Sequence, residues 1–186
     1  MLVYRVVPVA PGAQPGTPGH PEYTHKPQSR GRLDNPSHYD VRYVSATESG
    51  AVGETLAIHP EWTKRIFAFK AVPGATMSLC TFLVDDGLRL LDMDDAHNLL
   101  ALGLRPTQVV TLDRAVTQSW ALRAWEQHDH TGRKWQGIKW WSRHSVEWPV
   151  MGLWNASMEL ESVVPLDLSH RAVRDAARTL TRTVTP

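Results

Sequence analysis

Cysteine and long hydrophobic runs are almost absent from this chain. The 186 residues include one cysteine, Cys80, which excludes an intrachain disulfide framework. Because its neighbours Leu79, Phe82 and Leu83 are apolar, we expect a buried, unreactive thiol. No apolar stretch approaches the length of a membrane span, and no early apolar run resembles a signal peptide. These absences favour a cytoplasmic protein with no membrane partner.

A strong charge of either sign is also missing. Twenty basic and nineteen acidic residues give a formal net charge of +1, so no global field favours nucleic acid. The sequence has no internal repeat, no G-x-G-x-x-G after a strand, no Walker A motif and no G-x-S-x-G. The common dinucleotide-binding fold and the α/β-hydrolase fold are therefore disfavoured. The length and the 42% hydrophobic content fit one soluble globular domain.

Proline is concentrated near the start of the chain. Residues 8–36 carry seven of the thirteen prolines, which excludes a helix or a central strand there. The stretch is too long for an ordinary connection between elements. We expect either a disordered insert or a functional loop, and we favour a partly ordered lid.

The rest of the chain alternates between strand and helix patterns. Strands are predicted at 2–9, at 40–46, twice within 62–84 around a Pro73-Gly74 turn, and at 88–92, 137–145 and 158–166. Helix caps are predicted at Ser45 or Thr47, Asp94, Asp113 and Ser169, and the first three helices are expected to end near Ile58, Leu102 and His128.

One stretch, residues 30–56, brings three chemical groups onto consecutive elements. Arg32 follows a glycine, Tyr43 lies on a strand, and Glu54 lies on the next helix. Glu54 has small and apolar neighbours one turn away, so we expect its carboxylate to point inward; the alternative is a glutamate on a solvated face. A cation, an aromatic hydroxyl and a carboxylate in this order can bind an anionic substrate. Arg5 is either a phosphate ligand or an edge-strand surface residue.

A later segment adds a serine. Ser142 and Arg143 stand at the end of a predicted strand beside Trp140 and Trp141. This setting suits a nucleotide-sized ligand, while stacking of a single-stranded nucleic acid on the tryptophans is an alternative. His128, Asp129 and His130 form a weak cluster with no second ligand set, so we predict no metal site.

Together these segments resemble the RES family, named for an Arg, a Glu and a Ser. The resemblance covers nearly the whole chain and implies a single RES domain over residues 1–186, with the Pro/Gly-rich loop at about 8–36. Leu33 departs from the pattern, because an aromatic residue usually follows the arginine. Ser142 is the best match to the family serine, with Ser119 as the fallback. The matching motifs, in order, are YRVVP (4–8), GRLDNP (31–36), VRYVSA (41–46), AVGETL (51–56) and GIKWWSRHS (137–145).

The resemblance implies an α/β (α+β) fold like that of the ADP-ribosyltransferase toxins, a mixed fold with two packed β-sheets around an NAD cleft and flanking helices. It implies a toxin of the RES–Xre type of toxin–antitoxin system, which degrades NAD+ at the nicotinamide–ribose bond. The reaction is phosphorolysis or hydrolysis. Inorganic phosphate is the co-substrate in the first case, and no cofactor beyond the substrate NAD+ is implied. A cognate antitoxin is expected to cover the active site, and a homo-oligomer stays open.

The resemblance also assigns roles. Arg32, Glu54 and Ser142 are implied to be catalytic, and Arg5, Arg32, Tyr43 and Ser142 to bind NAD+. One alternative is a protein ADP-ribosyltransferase toxin that uses the same site. A second is a non-catalytic module that binds a nucleotide or a single-stranded nucleic acid.

Overall fold

The computed structural model describes residues 1–185 and divides the chain into two compact units. The first unit contains Met1–His25, Ser45–Leu83 and the chain from Met158 onward, and the second contains Lys26–Val44 and Val84–Ser157. Strands and helices occur in both units, which confirms the expected mixed α/β fold.

The helices and strands are named in chain order. The strands are β1 (Leu2–Val9), β2 (Val41–Ser45), β3 (Glu61–Trp62), β4 (Thr76–Leu83), β5 (Leu90–Asp92), β6 (His128–Asp129), β7 (Gly132–Arg133), β8 (Gly137–Trp141), β9 (Pro149–Trp154), β10 (Glu159–Pro165) and β11 (Thr183–Val184). The helices are α1 (Glu48–Leu56), α2 (Ala96–Leu102), α3 (Pro106–Val109), α4 (Arg114–Trp125) and α5 (Arg171–Thr179).

In the first unit, three antiparallel strands lie in the order β10-β4-β1, and α1 packs against α5 and β1. The short strands β3 and β11 pair in parallel. Helix α1 begins where Thr47 accepts a hydrogen bond from the Gly50 amide at 3.1 Å, so Thr47 rather than Ser45 is the cap. Helix α5 buries its alanines and Val173, as its periodicity predicts, and its cap is His170 rather than Ser169.

In the second unit, the strand order is β2-β9-β8-β5. Strands β8 and β9 are antiparallel and β5 pairs with β8 in parallel, so this sheet is mixed. The sheet and helices α2, α3 and α4 together build a hydrophobic core that contains Trp120, Trp140 and Trp154. Several of the tryptophans thus build the interior of this unit.

Three local predictions are corrected. Residues 62–84 hold one long strand, β4, because Lys64–Phe67 forms a 3₁₀ turn that begins where the Thr63 side chain accepts the Arg65 amide. Asp95 rather than Asp94 caps α2, since its carboxylate accepts the His97 amide at 2.8 Å. Helix α4 begins after Asp113, as predicted, but ends at Trp125 because β6 and β7 form a hairpin immediately after it. Strand β9 and helix α3 were not predicted.

Residues 10–40 contain turns and one isolated bridge, between Asn35 and Tyr39, but no helix or strand. The expected absence of helix and strand is confirmed from residue 10 to residue 36, whereas Pro8 and Val9 form the end of β1 and pair with β4. Within residues 1–185, no helix combines the length and the apolar character needed to cross a bilayer.

Candidate functional site

The guanidinium of Arg32 is fixed to a distant part of the second unit. Its Nη1 donates to the backbone carbonyls of Val109, at 2.6 Å, and Thr111, at 2.8 Å. These carbonyls belong to the end of α3 and the connection between α3 and α4. Two hydrogen bonds from a planar group set its orientation as well as its position.

We call residues 29–35 the arginine loop. Tyr43 closes one side of it: its hydroxyl accepts from the Leu33 amide at 2.8 Å and donates to Oδ1 of Asp34 at 2.6 Å. The second carboxylate oxygen of Asp34 accepts from the Gly31 amide at 2.6 Å. Burial, reinforced by the bond to Asp34, raises the pKa of the Tyr43 hydroxyl, which therefore stays a proton donor. The Tyr43 hydroxyl therefore uses both its donor and an acceptor site on the loop that carries Arg32.

Gly31 has a steric reason to be glycine. A Cβ built on it would overlap the hydroxyl oxygen of Tyr43 and Oδ1 of Asp34. Any side chain at Gly31 would therefore separate the groups that hold the loop. The Gly-Arg pair of the sequence is explained by this close approach.

Helix α4 closes the other side of the arginine loop. Nε2 of Gln118 donates to the carbonyls of Ser29, at 3.2 Å, and Gly31, at 3.0 Å. Nε of Arg114 donates to the carbonyl of Arg30 at 3.1 Å. The side-chain Nδ2 of Asn35 donates to the backbone carbonyl of Gln118 at 3.0 Å. Residues on both sides of Arg32 are therefore hydrogen-bonded to α4.

Leu33, which stands where the family usually has an aromatic residue, is fully buried in the core of the second unit. Its side chain lies against Gly152 of β9, and a Cβ on Gly152 would overlap Leu33 Cδ1. Tyr39 donates its hydroxyl proton to the Leu33 carbonyl at 2.8 Å. Leu33 therefore anchors the arginine loop twice, through the packing of its side chain and through the hydrogen bonds of its backbone.

Ser142 follows β8 in the second unit and is only 2% exposed. Its amide donates to the Trp148 carbonyl at 2.9 Å, and its Oγ accepts from the His144 amide at 2.9 Å. Ser119, the fallback for the family serine, lies exposed on α4. Of the two, Ser142 is the buried serine, and its hydrogen bonds to Trp148 and His144 fix its position.

Glu54, in the first unit, is exposed, so the prediction that its carboxylate points inward is wrong. Helix α1 buries Gly50, Val52 and Leu56, among others, against α5 and β1, and Glu54 lies off that face. Ile58, one turn beyond Glu54, is 80% exposed, so the apolar neighbour expected to help bury the carboxylate is itself in solvent.

Arg5, also in the first unit, is half-buried on β1 opposite Cys80 of β4. Burial raises the pKa of the Cys80 thiol to about 11, and the nearby guanidinium offsets part of that rise. The cysteine is buried and free of disulfide bonds, which confirms the predicted buried thiol.

The structure thus groups the predicted site residues by unit. Tyr43 bonds the two residues that follow Arg32, and both lie in the second unit. Ser142 belongs to the same unit, whereas Arg5 and Glu54 belong to the first. Sequence reasoning missed Asp34 and Gln118. An aspartate three residues after a glycine is a weak turn signal, but nothing local marks a glutamine 87 residues from the loop it holds. Across residues 1–185, no three His, Cys, Asp or Glu side chains are grouped to hold a metal ion.

Comparisons with known proteins agree with this architecture. The model of the RES domain matches residues 2–175. A chain of the crystal structure of the M. tuberculosis MbcT–MbcA toxin–antitoxin complex is similar in fold, with a TM-score of 0.54 and 16% identity over 89% of this chain and 83% of that chain. No curated protein sequence matches. Because the RES model covers almost the whole length, the chain belongs to the RES family.

Proposed function

We propose that this protein cleaves the nicotinamide–ribose bond of NAD+, by phosphorolysis or hydrolysis, and acts as a toxin by depleting NAD+. The observation that carries the proposal is the RES match over residues 2–175, which includes Arg32, Tyr43, Glu54 and Ser142. The similarity to a chain of a toxin–antitoxin complex supports a toxic activity and a cognate antitoxin as partner.

Arg32 is proposed to bind the pyrophosphate of NAD+, with Arg5 as a second phosphate ligand. A guanidinium presents several N–H donors in one plane, a geometry that suits phosphate oxygens better than the point charge of lysine. The bonds from Arg32 to Val109 and Thr111 support this role, because a donor oriented before the ligand arrives needs little reorganisation.

Glu54 is proposed to act on the nicotinamide ribose. When the glycosidic bond breaks, nicotinamide leaves with the bonding electron pair as a neutral molecule, so no general acid is required. The ribose becomes oxocarbenium-like, and a carboxylate stabilises the positive charge that develops there. The exposure of Glu54 supports this role, since substrate can reach its carboxylate.

Tyr43 and Ser142 are proposed to help place the substrate. Because the Tyr43 hydroxyl is already bonded to Leu33 and Asp34, the proposed contact with NAD+ is through the ring, whose edge-on partner is Trp140 at 6.5 Å between centroids. Ser142 is proposed to position the ribose, or the attacking phosphate or water.

The proposal is tested by incubating the purified protein with NAD+ and measuring nicotinamide release, with and without inorganic phosphate. Phosphate dependence and ADP-ribose phosphate as product indicate phosphorolysis, whereas free ADP-ribose indicates hydrolysis. Arg32→Ala is expected to slow release about 100-fold, the scale of a lost preorganised charge. Arg123→Ala, an exposed arginine on α4, is the matched control.

Two outcomes contradict the proposal. Wild-type protein that releases no nicotinamide under either condition would contradict cleavage of NAD+ by phosphorolysis or hydrolysis. Labelled NAD+ that ends on proteins of a cell lysate, with no free ADP-ribose or its phosphate, would instead indicate a protein ADP-ribosyltransferase.

A further inference from the structure

We infer that Gln118 of α4 is a positioning residue that sets the place of Arg32. The inference rests on the proposed function, in which Arg32 binds the pyrophosphate of NAD+. It concerns a residue outside the five matching motifs of the sequence, and one that acts through the backbone of the arginine loop.

Gln118 holds the arginine loop at two levels. Its side-chain Nε2 donates to the carbonyls of Ser29 and Gly31, the second of which belongs to the peptide bond leading into Arg32. Its own backbone carbonyl accepts from the side chain of Asn35. The entry and the exit of the loop are therefore tied to one residue of α4.

The side chain of Arg32 is tied to the same segment of the chain. Its Nη1 donates to the carbonyls of Val109 and Thr111, which lie immediately before α4. The backbone around Arg32 and its guanidinium are thus both held by residues 109–118. Without the bonds from Gln118, a shift of the loop backbone would move the Cα of Arg32 and draw its Nη1 away from the Val109 and Thr111 carbonyls, so the guanidinium would lose its present orientation.

Gln118 has no amide hydrogen to offer a substrate. A glutamine Nε2 carries two hydrogens, and both are accounted for by Ser29 and Gly31. These hydrogens therefore act on the backbone that carries Arg32 rather than on a substrate. A displacement of about 1 Å in a binding group can cost about 100-fold in rate, so two hydrogen bonds at this place are enough to matter.

The test uses two variants with nearly the shape of glutamine. Gln118→Glu removes both donors and faces two carbonyls with oxygen, and Gln118→Met removes them without adding charge. Both are expected to lower kcat/KM for NAD+ about 10- to 100-fold, mainly through a higher KM, because a phosphate-binding group is misplaced. Gln127→Glu is the matched control, since Gln127 uses only its Oε1, as the acceptor for Trp135 Nε1 at 2.9 Å, and glutamate keeps that acceptor.

A double-mutant cycle with Arg32→Ala separates positioning from general structure. If Gln118 acts through Arg32, Gln118→Met changes kcat/KM by less than about twofold once Arg32 is removed. An equal loss in both backgrounds, or no loss from either Gln118 variant alone, would overturn the inference while leaving the proposed function intact. Loss of cooperative thermal unfolding in both variants would assign Gln118 to fold stability and overturn it as well. Wild-type protein that does not cleave NAD+ would overturn the proposed function and this inference with it.

Discussion

Gly31 and Tyr43 approach each other so closely that the glycine has no room for a side chain. A Cβ on Gly31 would overlap the Tyr43 hydroxyl oxygen, the same atom that binds the Leu33 amide and Oδ1 of Asp34. The three motif residues Gly31, Arg32 and Tyr43 thus form one structural unit. Two of them shape the backbone from which the third projects.

Gly31→Ala is expected to force the tyrosine and the arginine loop apart. The overlap predicts a loss of about 1–3 kcal/mol in the free energy of unfolding, the usual cost of overpacking, together with slower NAD+ cleavage. Urea denaturation and nicotinamide release measure the two effects. Gly87→Ala is the control, because its Cβ would meet only the exposed Asp85 carboxylate at 3.3 Å. Unchanged stability and activity in Gly31→Ala would refute the steric explanation.

Ser142 and Ser119 give opposite predictions. Ser142→Ala removes the Oγ that accepts the His144 amide, so it should slow NAD+ cleavage by about tenfold or more, as for a lost positioning contact. Ser119→Ala, on the exposed surface of α4, should leave the rate unchanged. Steady-state kinetics of the two purified variants decides between them. The reverse ranking would make Ser119 the family serine.

Cys80 is expected to weaken the fold at alkaline pH. Burial raises its pKa from 9.0 to about 11, so its stabilising contribution is complete below pH 9 and is lost as the pH rises through 11. Between about pH 8 and about pH 11, wild type should lose about 2 kcal/mol more stability than Cys80→Ala. Tyr39, whose pKa is raised to about 12, titrates in both proteins and cancels in this comparison. Urea denaturation at both pH values gives the difference, and parallel pH profiles would contradict it.

The elements that sequence predicted well have strong local signals. Strand β1 has a β-branched run with the predicted bounds. The Asp113 cap and the end of α2 at Leu102, where Gly103 follows with a φ of 65°, depend on signals within a few residues. Cap predictions failed by one residue at Asp94, where a second aspartate follows, and at Ser169, where the ring of His170 accepts the Ala172 amide instead.

The exposed position of Glu54 could not be predicted from its neighbours alone. Helix α1 contains glycine, alanine and valine on several sides, so periodicity does not define one buried face, and packing against α5 and β1 decides it. The role of Gln118 could not be predicted for another reason. Its partners are 87 and 89 residues away along the chain, and only the tertiary fold brings them together.

Glu54 gives the most direct test of the central claim, that this RES-family chain cleaves NAD+. Glu54→Gln keeps the shape of the side chain and removes its charge, and Glu48→Gln makes the same change at an exposed position of the same helix. Nicotinamide release from NAD+, measured at equal concentrations of the three proteins, should fall about 100-fold or more in Glu54→Gln and stay near wild type in Glu48→Gln. Wild-type turnover in Glu54→Gln would contradict the account.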